Sequence, residues 1–151
     1  SSYTDIRQPD TKHSRSYLEF GQGFYLTSLH EQAVRYAQRF KRRGQQAWLN
    51  TYDLNYDETE WNVRHFETYD KSWLDFVALC REGNTAGDYD MIVGGVANDR
   101  IIATLDRYFL GEISQETALG LLKYEKPNVQ FCIRSERMIK ECLKYIGSEQ
   151  I

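Results

Sequence analysis

Proline is nearly missing from this chain, with Pro9 and Pro127 the two among 151 residues. Proline-rich linkers and polyproline recognition segments are thereby excluded. Cysteine is sparse as well: Cys80, Cys132 and Cys142 are odd in number and show no Cys-x-x-Cys spacing. Buried free thiols are expected rather than a disulfide framework or a zinc site. His13, His30 and His65 are scattered without metal-ligand spacing, so no metal is expected. No apolar run approaches membrane-spanning length and no secretory leader is visible, which points to a cytoplasmic, reducing setting without a membrane partner. An excess of positive charge is also lacking. Lys and Arg number 19 against 22 Asp and Glu, a net charge of −3. Indiscriminate nucleic-acid binding, which needs broad phosphate neutralisation, does not fit that balance.

Tyrosine is what the chain has in excess, with eleven. Its ring suits cavities that need a flat apolar wall and a hydroxyl together. Length and composition fit one domain over residues 1–151 with an ordinary core. Tyr3–Ile6 reads as the end of a strand, and Gln46–Leu54, Trp61–Phe66, Tyr89–Val93 and Asn128–Arg134 read as further strands. Helices are expected at Leu29–Arg43, at Lys71–Arg81, after the Asn98-Asp99 cap, from Ser114 to Tyr124, and after Ser135 through Ile146. Strands and helices mix without a regular βαβ rhythm, so the expected class is α+β.

The most informative stretch is Glu19-Phe-Gly-Gln-Gly-Phe-Tyr-Leu-Thr-Ser28 and the helix it feeds. Gly21 and Gly23 permit conformations that a Cβ resists and let another group approach the main chain. Tyr25 and Thr27 share one face of a short strand. Ser28 with Glu31 reads as a capping box, and Leu29, Ala33, Tyr36, Ala37 and Phe40 form one apolar helix face. Tyr25 and Tyr36 are therefore expected to converge on a pocket, or else to pack in the core. A lone Gly-x-Gly is weak evidence for a phosphate loop. Arg15 precedes the turn and is either a pyrophosphate ligand or a solvated loop charge. Arg35, Arg39, Lys41, Arg42 and Arg43 gather at one helix end, where the helix dipole alone favours cations.

Gly-Phe-Tyr-Leu-Thr, with a second tyrosine eleven positions after Tyr25, resembles the Gly-Ile-Tyr-Phe segment of the poly(ADP-ribose) polymerase branch of ADP-ribosyltransferases. More closely, the chain resembles a bacterial family of uncharacterised transferase-fold domains often encoded in toxin–antitoxin-like gene pairs. That family carries Asp/Glu-Phe-Gly-x-Gly-Phe-Tyr-Leu-Thr, Trp-Leu-x-Phe, Tyr-Asp-x-x-x-Gly-x-Val-Ala-Asn-Asp and a late Gln-aromatic strand. Here those elements fall at Glu19–Thr27, Trp73–Phe76, Tyr89–Asp99 and Gln130-Phe131. The resemblance implies an ADP-ribosyltransferase-like split β-sheet core with flanking helices. It further implies NAD as a substrate used without a metal, mono-ADP-ribosyl transfer, and a cognate antitoxin protein as partner. The acceptor is left open among protein, nucleic acid and small molecule.

Carried over by position, Tyr25 is the triad tyrosine and Tyr36 the second stacking ring. Phe20, Gly21 and Gly23 shape the wall leading to them, and Arg15 meets the pyrophosphate. Two departures stand out. The family's histidine would fall at or just before residue 1, with Ser2 as the serine that follows it. In addition, an uncharged Gln130 occupies or borders the acid position. A glutamine amide can hold a ribose hydroxyl but adds no charge beside a developing cation. The alternative is a degraded module that binds NAD, ADP-ribose or a partner protein without catalysis.

Overall fold

Short β-prone runs separated by capped helices give a mixed α+β chain. The computed structural model describes residues 1–14 and 18–151. In order these form β1 (Phe24–Leu26), α1 (His30–Arg42), β2 (Trp48–Leu54), β3 (Val63–His65), α2 (Lys71–Arg81) and β4 (Met91–Gly95). Then follow α3 (Asp99–Phe109), α4 (Gln115–Leu122), β5 (Val129–Ile133), α5 (Glu136–Cys142) and β6 (Leu143–Gln150). Among the described residues the strands divide into two sheets, one of four strands ordered β1-β5-β4-β3 and one pairing β2 with β6. β3 and β4 are parallel, and the other pairings are antiparallel.

Alternation along the strands sorts side chains to the two faces of the larger sheet. Ile92, Cys132 and Tyr25 turn to a cluster with Phe20, Trp73, Val77, Ile101 and Leu105 from the helical side. Met91, Val93 and Ile133 turn the other way, toward Trp61, Met138 and Ile139. A third, smaller cluster seats α1 on β2 through Ala37, Ala47 and Leu49. Three helices start on the capping side chains their sequences announce. Asn98 accepts from Ile101 N–H at 3.0 Å, Ser114 from Thr117 at 3.1 Å and Ser135 from Met138 at 3.2 Å. All three cysteines are buried free thiols. Among the described residues no helix is long and apolar enough to cross a membrane.

Several local expectations are corrected. The helix after Ser135 stops at Cys142; Leu143 is extended, and Leu143–Gln150 becomes β6 because its backbone completes a ladder with β2. Leu143 and Ile146 are spaced for one helix face and fall on opposite faces of a strand, so long-range pairing overrides the local pattern. The N-terminal segment contributes a single bridge, Ser2 to Trp48, rather than a strand at Tyr3–Ile6. There the Asn50 side chain takes up the Ile6 N–H, at 2.8 Å. No capping box forms at Ser28. α1 begins at His30 without a side-chain cap, and Thr27 Oγ1 accepts the Leu29 N–H one step earlier, at 3.1 Å. Leu29 and Tyr36 are exposed, so the buried face of α1 runs through Ala33, Val34, Ala37 and Phe40 instead. Leu121 on α4 is exposed as well.

Candidate active site

The turn before β1 is held from three sides. Gly21 N–H donates to Leu18 O at 3.0 Å, and Gly21 sits at φ +76°, a conformation that favours glycine. The Tyr25 hydroxyl donates to Gly21 O at 2.5 Å and accepts from Phe20 N–H at 3.2 Å. Arg134, just past β5, reaches back so that its Nε donates to Phe20 O at 3.2 Å. The Phe20 ring is fully buried, 6.2 Å from Phe66 and 6.1 Å from Phe76 between centroids. Gly23 serves close packing: a Cβ there would lie 2.6 Å from Cys132 Sγ and 2.8 Å from Ile133 O. Gly21 thus has a conformational reason and Gly23 a packing one, and Phe20 supports the turn from inside.

Register then decides which side chains meet. Tyr25 lies opposite Cys132, and Gln130, two residues along β5, shares that face. Gly94 of β4 stands opposite Gln130, where a Cβ would come within 3.0 Å of the Phe20 ring. Gln130 is 8% exposed, and its Nε2 is buried with no hydrogen-bond partner among the described residues. Burial raises the Tyr25 hydroxyl far above its ordinary pKa, with Cys132 and Glu19 adding to the rise. Burial also pushes Cys132 up to about 12, against the Tyr25 hydroxyl and the Arg134 guanidinium. Both groups are neutral donors at ordinary pH rather than nucleophiles. Glu19, inside the turn, is raised by burial too, while Arg81 and Arg39 oppose the rise.

Residues 1–145 match a family described as "Protein of unknown function (DUF3990)". This chain belongs to the DUF3990 family. Neither a curated protein nor a solved structure matches it. The matched span takes in the Gly21 turn, β1, α1 and all of β5, so Tyr25, Tyr36 and Gln130 all fall within the DUF3990 region.

Within this DUF3990 chain, Tyr25 and Gln130 are brought together on one sheet face. Tyr36 stands apart from that pair. It is 50% exposed, edge-on to Phe40 at 5.8 Å, with the Arg39 guanidinium 5.2 Å from its centroid. Arg15 lies outside the described residues. Open hollows among the described residues include two that Gln130 does not line. One, of about 430 Å³, is lined by His30, Glu31, Val34 and Arg35; the other, of about 560 Å³, lies along Asp53, Asn55 and Lys140–Tyr145. Among the described residues no group of three or more His, Cys, Asp or Glu side chains gathers to hold a metal ion. Sequence reasoning missed two residues of the site. Arg134 reads as an ordinary strand end, and nothing in its neighbours announces a long-range clamp. Glu19 stands in plain view beside Phe20, but its burial depends on how the turn docks.

Proposed function

We propose that this DUF3990 chain is an NAD-dependent mono-ADP-ribosyltransferase working from the Tyr25–Gln130 face. The observation that carries the reading is the Gln130 amide: a buried donor without an acceptor, beside Tyr25 and behind a glycine turn. Buried polar groups are nearly always paired. Gln32, Trp73 and Arg81 also bury an unpaired side-chain atom among the described residues, but Gln130 is the one on a strand face with Tyr25, where an acceptor on a ligand would satisfy it. A ribose hydroxyl is such an acceptor. NAD, as substrate, supplies a ribosyl–nicotinamide bond whose cleavage leaves positive character on the sugar. In this reading the Tyr25 ring walls the base, and its hydroxyl holds the Gly21 turn in place. Gln130 Nε2 donates to the ribose. The amide positions without adding charge, which favours slow transfer of a single ADP-ribose over chain elongation. Tyr36 is left out of the donor pocket, since it packs on Phe40 of α1, apart from the cluster that holds Tyr25. Three buried free thiols favour a reducing, cytoplasmic setting. A small antitoxin covering the Gly21 turn is the partner this reading expects.

A second reading has its own observation. The Tyr25 hydroxyl is already committed to the turn and Phe20 fills the space behind it, which suits a module that binds without turning over. Nicotinamide release from NAD separates the two, with calorimetry and thermal melts alongside. Release by wild type, a larger loss of turnover than of binding in Gln130→Ala, and a gain in Gln130→Glu are expected. Oxyanion-type donors contribute about 2.7–4 kcal/mol to catalysis, and a neutral clamp should contribute less. NAD binding without release by folded wild type would establish the binding module instead.

A further inference from the structure

A different surface carries a binding assignment that does not depend on ADP-ribosyl transfer. Between His30 and Arg43 there are five cations and a single acid, Glu31. Arg35, Arg39 and Arg42 follow the i, i+4, i+7 spacing that stacks them in one row on the solvent side of α1, opposite the buried Ala37. That row spans about 10 Å of helix axis. A second row, of aromatic rings, runs beside it. Tyr36 meets Phe40 at 5.8 Å and Phe40 meets Tyr3 at 6.1 Å, both edge to face, while Arg39 links the rows at 5.2 Å from the Tyr36 ring. Tyr36 is 50% and Tyr3 59% exposed, so both rings offer area to an incoming group. Among the described residues none of the five cations forms an ion pair.

We infer that the Arg35–Arg39–Arg42 row and the adjoining Tyr36 and Tyr3 rings bind single-stranded nucleic acid. The arginines neutralise successive phosphates and the exposed rings stack on unpaired bases. Helix-dipole stabilisation explains cations in the last turn, but not Arg35 in the first half of the helix, nor exposed rings held beside the charges. A duplex keeps its bases stacked within itself and has no use for the rings. An acidic protein would use the charge alone. The net charge of −3 confines this binding to α1 instead of spreading it over the surface.

Fluorescence anisotropy with a labelled oligouridylate of about 16 nucleotides tests the assignment, at salt from about 50 to 200 mM. A duplex of equal length and polyglutamate serve as competitors. Single-strand binding that weakens with salt is expected, with neither competitor displacing it at matched charge. Converting Arg35, Arg39 and Arg42 together to Gln should lower the salt slope by about 2, at roughly 0.7 for each phosphate no longer neutralised. Tyr36→Ala should weaken single-strand binding about tenfold and leave the slope unchanged. All four side chains are exposed, so melting temperatures should stay at the wild-type value. Absence of binding at the lowest salt, equal displacement by duplex or polyglutamate, or an unaffected Tyr36→Ala would each overturn the assignment.

Discussion

Replacing Gln130 by methionine probes the centre of the candidate site without changing its volume much. The side chain is 8% exposed and its Nε2 donor has no partner among the described residues, which leaves an uncompensated desolvation cost in the fold. Such a cost amounts to about 1–3 kcal/mol for a neutral donor. Methionine has similar length, lacks the donor, and adapts to irregular apolar surroundings such as those beside Phe20 and Gly94. Gln130→Met should therefore stabilise the fold by about 1–3 kcal/mol. For a chain of this size that raises the melting temperature by roughly 2–12 °C. The same change should abolish nicotinamide release, the trade of stability against function expected where an unpaired polar group is kept for a ligand. Differential scanning calorimetry and urea titration read the first effect, and product chromatography the second. A loss of stability in Gln130→Met would refute the reasoning, because the amide would then be bonded within the fold and its purpose would be structural.

Two further outcomes follow from the same geometry. Gly23→Ala places a Cβ 2.6 Å from Cys132 Sγ and 2.8 Å from the Ile133 carbonyl, so β1 must shift away from β5. A loss of about 1–3 kcal/mol is expected from that overpacking, read as a lower urea midpoint. Adding Cys132→Ala should recover only part of it, since the Ile133 carbonyl stays in place; full recovery would mean the backbone contact is harmless. Glu19, raised by burial above its ordinary 4.5, keeps its proton more tightly when folded than when unfolded. Its contribution to stability is then intact below pH 4.5 and lost as pH rises through the folded value. Glu19→Gln should accordingly match wild type in acid and melt higher at neutral pH. A variant that melts lower at neutral pH would show that an ionised Glu19 is held by Arg81 and Arg39.

Local chemistry made much of this protein legible in advance. The α+β class, the helices opened by Asn98, Ser114 and Ser135, and the burial of three free thiols all follow from residue spacing and capping, which act within a few positions of chain. The sequence also singled out Tyr25 and Gln130 as candidates, though not their relation. That relation is a matter of strand register. Pairing Tyr25 with Cys132 puts Gln130 on the same face, and a slip of one residue would turn it to the other. Long-range pairing likewise overrode local spacing where Leu143–Gln150 joined β2 rather than extending a helix. The orientation of α1 was decided by its seat on Ala47 and Leu49, which turned Tyr36 outward beside the arginine row although its spacing suited a core position. Phe20 and Gly23 read as parts of a ligand turn, yet their burial and close packing depend on Phe66, Phe76 and Cys132, residues far away in the chain. By itself the sequence determined which segments curl, extend or cap, because those choices are settled among near neighbours. Which faces meet, and which polar groups among the described residues are left buried without a partner, only the tertiary structure decided, because both depend on contacts between segments whose separation along the chain no local signal records.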